Sequence, residues 1–106
     1  MLNALTIHPH DYRAVRRIAD LYTNDNRLDR AILWLRKATT IQPDSADAYY
    51  HLALAEQAAF QYSPAGRDFR KALELAPDNA EIRSSYLAFE KKLAASEAAA
   101  AQEQGN

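Results

Sequence analysis

Prolines 9, 43 and 77 recur at a spacing of 34 residues. Each closes a similar stretch: Ala4-Leu5-Thr6-Ile7-His8-Pro9, Ala38-Thr39-Thr40-Ile41-Gln42-Pro43 and Ala72-Leu73-Glu74-Leu75-Ala76-Pro77. An internal period of roughly 20–50 residues marks one supersecondary unit stacked on copies of itself. Such a stack buries its core between neighbouring units and leaves an extended inner face, so the search for function moves from chemistry to surface.

Hydrophobic spacing identifies the unit. Ala14, Val15, Ile18, Ala19, Leu21 and Tyr22 recur at helical intervals, as do Ala48, Tyr49, Leu52, Ala53 and Ala55. A second apolar face follows each: Leu28, Ala31, Ile32, Leu35, Ala38 and Ile41, then Tyr62, Ala65, Phe69, Ala72 and Leu73. Asn24-Asp25-Asn26 and Phe60-Gln61-Tyr62-Ser63-Pro64 break the runs, so each unit is a helical hairpin. Helix starts are predicted at His10 or Asp11, at Asp44 and at Asp78, with Asp47 and Glu81 completing capping boxes; Ser63-Pro64 reads as an N-cap and first helical residue. With only two glycines among 106 residues, nothing opposes an all-helical chain.

These motifs resemble the tetratricopeptide repeat family, whose pattern is W-x₂-L-G-x₂-Y…A-x₃-F…P. In the first repeat the pattern falls on Val15, Ile18, Ala19, Tyr22, Ala31, Leu35 and Pro43; in the second on Tyr49, Leu52, Ala53, Glu56, Ala65, Phe69 and Pro77. Ala19, Ala31 and Ala38, then Ala53, Ala65 and Ala72, take the small-residue positions that the resemblance places at close helix contacts. Glu56 departs from the family's aromatic, and Phe60 sits where glycine is common, which predicts a distorted turn.

The resemblance implies an all-α, right-handed superhelical stack of antiparallel hairpins. Its segments are the end of a preceding helix and turn (1–11), two full repeats (12–45 and 46–79), a capping helix (80–100) and a disordered tail (101–106). The expected core is Val15, Ile18, Leu35, Ile41, Tyr49, Leu52, Phe69 and Leu73.

In this family the leading helices line a concave groove. The resemblance therefore implies a partner-binding face made of Arg13, Arg16, Arg17, Asp20, Tyr50, His51 and Leu54. Arg13, Arg16 and Arg17 share one helix face, and arginine forks suit an acidic peptide or a free C-terminus; the alternative is a solvated face with Arg16 paired to Asp20. The clamp by which some members hold chaperone C-termini maps onto Arg16, Asp20, His51, Glu81 and Ser85. Only Arg16 keeps the required charge, so that clamp is not expected. Trp34 reads as packing.

Several functions are excluded or disfavoured. There are no cysteines, which removes disulfides and thiolate chemistry. A net charge of −1 argues against a general nucleic-acid or membrane-surface binder. His8 and His10 lack the further ligands a metal site needs, and His51 has no serine or cysteine nucleophile placed to use it. The expectation is a non-enzymatic, cytoplasmic scaffold or adaptor, co-chaperone-like, without cofactor or metal, that binds a protein or peptide as a monomer or weak homo-oligomer. The alternative is a self-assembling subunit with an apolar edge at Leu2, Leu5 and Ile7.

Overall fold

The computed structural model describes residues 11–105, with side chains as far as residue 99. The described residues form five helices: α1 (Tyr12–Asn24), α2 (Leu28–Ile41), α3 (Ala46–Ala58), α4 (Tyr62–Leu75) and α5 (Ala80–Gly105). Each packs chiefly on its neighbours in sequence, in the order α1 on α2, α2 on α3, α3 on α4 and α4 on α5. The result is an elongated stack of 58 × 30 × 18 Å. Predicted features at Leu2, Leu5, Ile7, His8 and His10 lie outside the described residues.

Two of the three caps, those expected at Asp44 and Asp78, lie one residue later. The Ser45 amide donates to the Gln42 carbonyl (3.1 Å), and the Asn79 amide to Ala76 (3.1 Å). Each proline is thus the second residue of a tight turn that consumes the following Asp. Ser45 Oγ then accepts from the Ala48 amide (3.2 Å) and Asn79 Oδ1 from the Ile82 amide (3.1 Å), while Asp44 and Asp78 do not cap. Asp11 caps α1, accepting from the amides of Arg13 and Ala14. Ser45 also meets the Tyr12 hydroxyl at 3.0 Å, which ties the starts of α1 and α3 together.

The turns inside the two hairpins are the same turn. Asn26 has φ 58 and Phe60 φ 63, followed by Arg27 at φ −96, ψ 75 and Gln61 at φ −94, ψ 75. Arg27 N–H donates to the Tyr22 carbonyl and Gln61 N–H to Glu56, both at 2.8 Å. This is the Schellman arrangement, in which a left-handed residue satisfies the last helical carbonyls. The distortion expected at Phe60 is absent, because phenylalanine adopts the left-handed conformation itself. Helix α4 consequently begins at Tyr62 rather than at a Ser63 cap, and Pro64 falls in the first turn, where no amide is required.

The small-residue positions behave as the pattern implies: all six alanines, 19, 31, 38, 53, 65 and 72, are fully buried. Of the expected core, Val15, Leu35, Leu52 and Phe69 are buried, whereas Ile18, Ile41, Tyr49 and Leu73 are only half-buried at its edge. Tyr50, Ile82, Phe89 and Glu56 take interior places instead. Trp34 packs against two core clusters and carries Lys37 Nζ 4.6 Å over its ring. Leu52→Ala should therefore cost about 2–5 kcal/mol in urea unfolding; an unchanged midpoint would refute this core.

Helix α5 docks through Ile82, Tyr86, Phe89 and Leu93 onto the cluster around Phe69. It continues to Gly105, past the point near residue 100 where the sequence predicted a disordered tail. Alanine, glutamate and glutamine there are strong helix formers, which sustains the backbone even where there is little apolar surface to bury.

Candidate protein-binding groove

Helices α1 and α3 lie side by side and are joined by charge. Arg16 is the pivot, with its side chain only 13% exposed. Its guanidinium reaches Asp47 Oδ2 on α3 at 3.2 Å and Asp20 Oδ1 one turn along α1 at 3.6 Å. Asp47 in turn faces His51 Nδ1 at 3.2 Å, and the same nitrogen lies 2.9 Å from the Asp47 carbonyl, so Nδ1 carries the proton it donates. An Asp20–Arg16–Asp47–His51 chain therefore crosses the wall. Two carboxylates offset the Arg16 charge, which makes it a fixed structural cation.

Arg13 and Arg17 are exposed, and neither forms an ion pair among the described residues. The three-arginine patch thus divides into two solvent-facing cations and one spent on holding α1 to α3.

Tyr50 departs most from its predicted position. It is 7% exposed, with its ring 6.3 Å from that of Phe69 and its hydroxyl 2.8 Å from Ser85 Oγ on α5. The first tyrosine of the Tyr49-Tyr50 pair was expected inside and the second outside; the structure turns the second inward. Filling the space between α3, α4 and α5 needs a large ring, and Ser85 satisfies the hydroxyl that burial would otherwise strand. Tyr50 therefore braces the groove from behind and presents little surface to a ligand.

Among the described residues, two cavities open along the wall and share Leu54 and Ala58. The smaller, ≈ 120 Å³, is lined by Asp20, Thr23, Leu28, Leu35, His51, Leu54, Ala55 and Ala58. It gathers three of the predicted groove residues, Asp20, His51 and Leu54. The larger, ≈ 380 Å³, is formed by Leu54, Gln57, Ala58, Phe60, Tyr62 and Lys92, and joins the α3–α4 turn to α5. The sequence reading did not assign Phe60, Tyr62 or Lys92 to the groove. The signal was the large side chain of Phe60 at a turn position suited to glycine.

One ionisable group outside the groove is strongly perturbed. Glu56 is 1% exposed, sits 3.3 Å from Arg36 Nη2 through Oε2, and has no hydrogen-bond partner at Oε1. Burial, and then the neighbouring Asp68 carboxylate, push its pKa up to about 8, against the opposing pull of Arg36. A contact between two carboxyl groups closes as a hydrogen bond only when one carries a proton, which accounts for the unpartnered oxygen.

Among the described residues no three histidine, cysteine or carboxylate side chains converge as metal ligands. Nor is any described helix long and apolar enough to cross a membrane.

Comparison with known proteins bears on the same region. A family model described as TPR repeat matches residues 19–58, and one described as Tetratricopeptide repeat matches residues 46–79. The first TPR of Spaghetti (RPAP3), solved bound to the HSP90 peptide SRMEEVD, is similar with a TM-score of 0.81 at 21% identity, over 87% of this chain and 73% of that one. The Sgt2 TPR domain from Aspergillus fumigatus gives 0.81 at 20% identity, over 90% of this chain and 64% of that one. YrrB, a TPR protein with an unusual peptide-binding site, gives 0.75 at 25% identity, over 86% of this chain and 47% of that one. No curated protein matches the sequence significantly. The first two likenesses, at their low identity, speak for the fold alone.

Proposed function

We propose that this chain, which belongs to the tetratricopeptide repeat family, is a non-enzymatic interaction module that docks an acidic peptide segment of another protein along the wall formed by α1 and α3. The family and its fold support a protein–protein interaction role. The observation that carries the finer reading is the division of charge on this wall. Arg16 is neutralised in place by Asp20 and Asp47, while Arg13 and Arg17 stand in solvent with no acidic partner among the described residues. Bidentate arginine contacts to a carboxylate are stronger than those between neutral groups and discriminate by geometry.

The partner's backbone would lie over Leu54, where two cavities meet, and past His51 at the edge of the smaller one. With two hairpins and one further helix, the contact area should fall near or below the usual ~800 Å² per partner, with modest affinity. A chaperone-tail clamp is a poor fit, because Arg16 is already paired and Glu81 presents a negative charge on α5.

The test is fluorescence polarisation with a labelled acidic octapeptide at low and high salt. Wild type should bind, and more weakly as salt rises. Arg13→Glu combined with Arg17→Glu should lower affinity about tenfold or more, equivalent to about 1.4 kcal/mol, and leave the far-ultraviolet helical signal intact. Binding of the double variant equal to wild type would remove the acidic-partner reading.

A further inference from the structure

Phe60 is disfavoured at its position on two independent counts. Its φ of 63 lies in the left-handed region, where the Cβ of any residue but glycine crowds the next carbonyl. The equivalent turn of the first hairpin uses Asn26, a residue type that tolerates this conformation. Burial does not compensate, for Phe60 is 77% exposed, more than Leu21, Leu33 or Leu87. Its one aromatic contact is edge-on to Tyr62, with centroids 6.2 Å apart at 89°. A side chain that neither the backbone nor the core favours points to a role outside folding.

The surroundings define that role. Phe60 and Tyr62 form one side of the ≈ 380 Å³ pocket, Leu54 and Ala58 extend its apolar lining, and Gln57 and Lys92 supply its polar groups. Lys92 is exposed and pairs with no acid among the described residues. Glu81, on the same helix, lies eleven residues away, about 16 Å along the axis. Free positive charge therefore marks both ends of the wall, at Arg13 and Arg17 and again at Lys92, with the Asp20–Arg16–Asp47–His51 chain and then the apolar side chain of Leu54 between them.

We propose that this pocket is an anchor site for a bulky apolar side chain of an acidic peptide segment, in which Phe60 supplies the aromatic wall and Lys92 holds a carboxylate of the same segment. The proposal rests on the reading of the α1–α3 wall as a peptide-docking face, and extends that face to α5. Aromatic anchors give large contact area at small entropic cost, and clusters of them carry most of the affinity of small interfaces. Strain at Phe60 thus persists because the ring serves a partner.

The test uses the full ¹⁵N-labelled chain titrated with two blocked peptides, acetyl-EEWLEE-amide and acetyl-EEAAEE-amide. The first should produce saturable shifts at the amides of Leu54, Ala58, Tyr62 and Lys92, and the second should bind at least fivefold more weakly. Phe60→Gly should weaken the first peptide at least fivefold while leaving Tm at or above the wild-type value. Lys92→Glu, at an exposed site, should weaken it similarly with no change in Tm. Shifts confined to Arg13–Asp20 and Asp47–His51 would overturn the anchor and leave the groove reading standing. No shifts at millimolar peptide would overturn both. A lower Tm for Phe60→Gly would make the ring a structural element and likewise end the proposal.

Discussion

Phe69→Ala should lower stability by about 3–5 kcal/mol, the largest loss expected from any single truncation in this chain. Phe69 is fully buried, and its ring lies 5.2 Å from Phe89, 5.9 Å from Tyr86 and 6.3 Å from Tyr50. It is therefore the one side chain on α4 that meets both α3 and α5 through aromatic faces. Removing it takes away its own transfer free energy and leaves a void that three rings, each held by other contacts, cannot close. Against a total of roughly 5–15 kcal/mol for a domain, the loss is a large fraction. Tm should fall by at least about 10 °C, since each kcal/mol shifts a domain of this size by roughly 4–8 °C. The effect should concentrate at α5, whose apolar face docks on the cluster around Phe69. Hydrogen exchange should show the amides of Ile82–Leu93 losing protection ahead of those of α1 and α2. A Tm within a few degrees of wild type, or uniform loss of protection, would mean that α5 is not held at this point.

The fold was legible because two kinds of signal repeat. Alanines at fixed offsets announce close helix contacts, and all six reach zero exposure. Prolines at a fixed period announce the turns between hairpins. The sequence was a poorer guide wherever the outcome depended on which of two neighbours turned inward. Ser45 and Asp44 are both good caps, and only the geometry of the proline turn decides between them. Tyr49 and Tyr50 are both large and amphipathic, and the helix phase at that point settles which is buried. The tail was expected to disorder from its lack of apolar surface, whereas intrinsic propensity carries the helix to Gly105.

On the expected groove face the alternative of Arg16 paired with Asp20 is the one that forms, at 3.6 Å. Helical spacing places Arg13, Arg16 and Arg17 on one face, but that spacing does not show that Asp47, thirty-one residues away from Arg16, captures the middle one. A contact between helices is a property of packing, and it decides which cations remain available to a partner. Phe60 was visible as an anomaly, because a phenylalanine replaced a residue able to turn left-handed. The expected cost was distortion, but the turn held its shape and the anomaly appears as an exposed ring.

Glu56→Gln should make the protein progressively more stable than wild type as pH rises. In the first hairpin the equivalent position holds Tyr22, and the position matching Asp68 holds Trp34, so an aromatic pair has been exchanged for two acids. The folded chain holds the Glu56 proton up to about pH 8, whereas the unfolded chain releases it near the ordinary value of 4.5. The folded state thus binds more protons between these values, and stability must fall as pH rises through that window. Each tenfold difference in proton affinity is worth about 1.4 kcal/mol, so the loss from pH 5 to pH 8.5 should amount to several kcal/mol. Glutamine keeps the shape and the carbonyl that accepts from Arg36, and its amide can donate to Asp68 at any pH. Urea unfolding of both proteins at pH 5, 7 and 8.5 gives the difference directly, and other titrating groups cancel in the comparison. The advantage of Glu56→Gln should be small at pH 5 and greatest at pH 8.5. A difference that stays flat across the range would show that Glu56 is ionised throughout, with Arg36 outweighing both its burial and the facing carboxylate of Asp68.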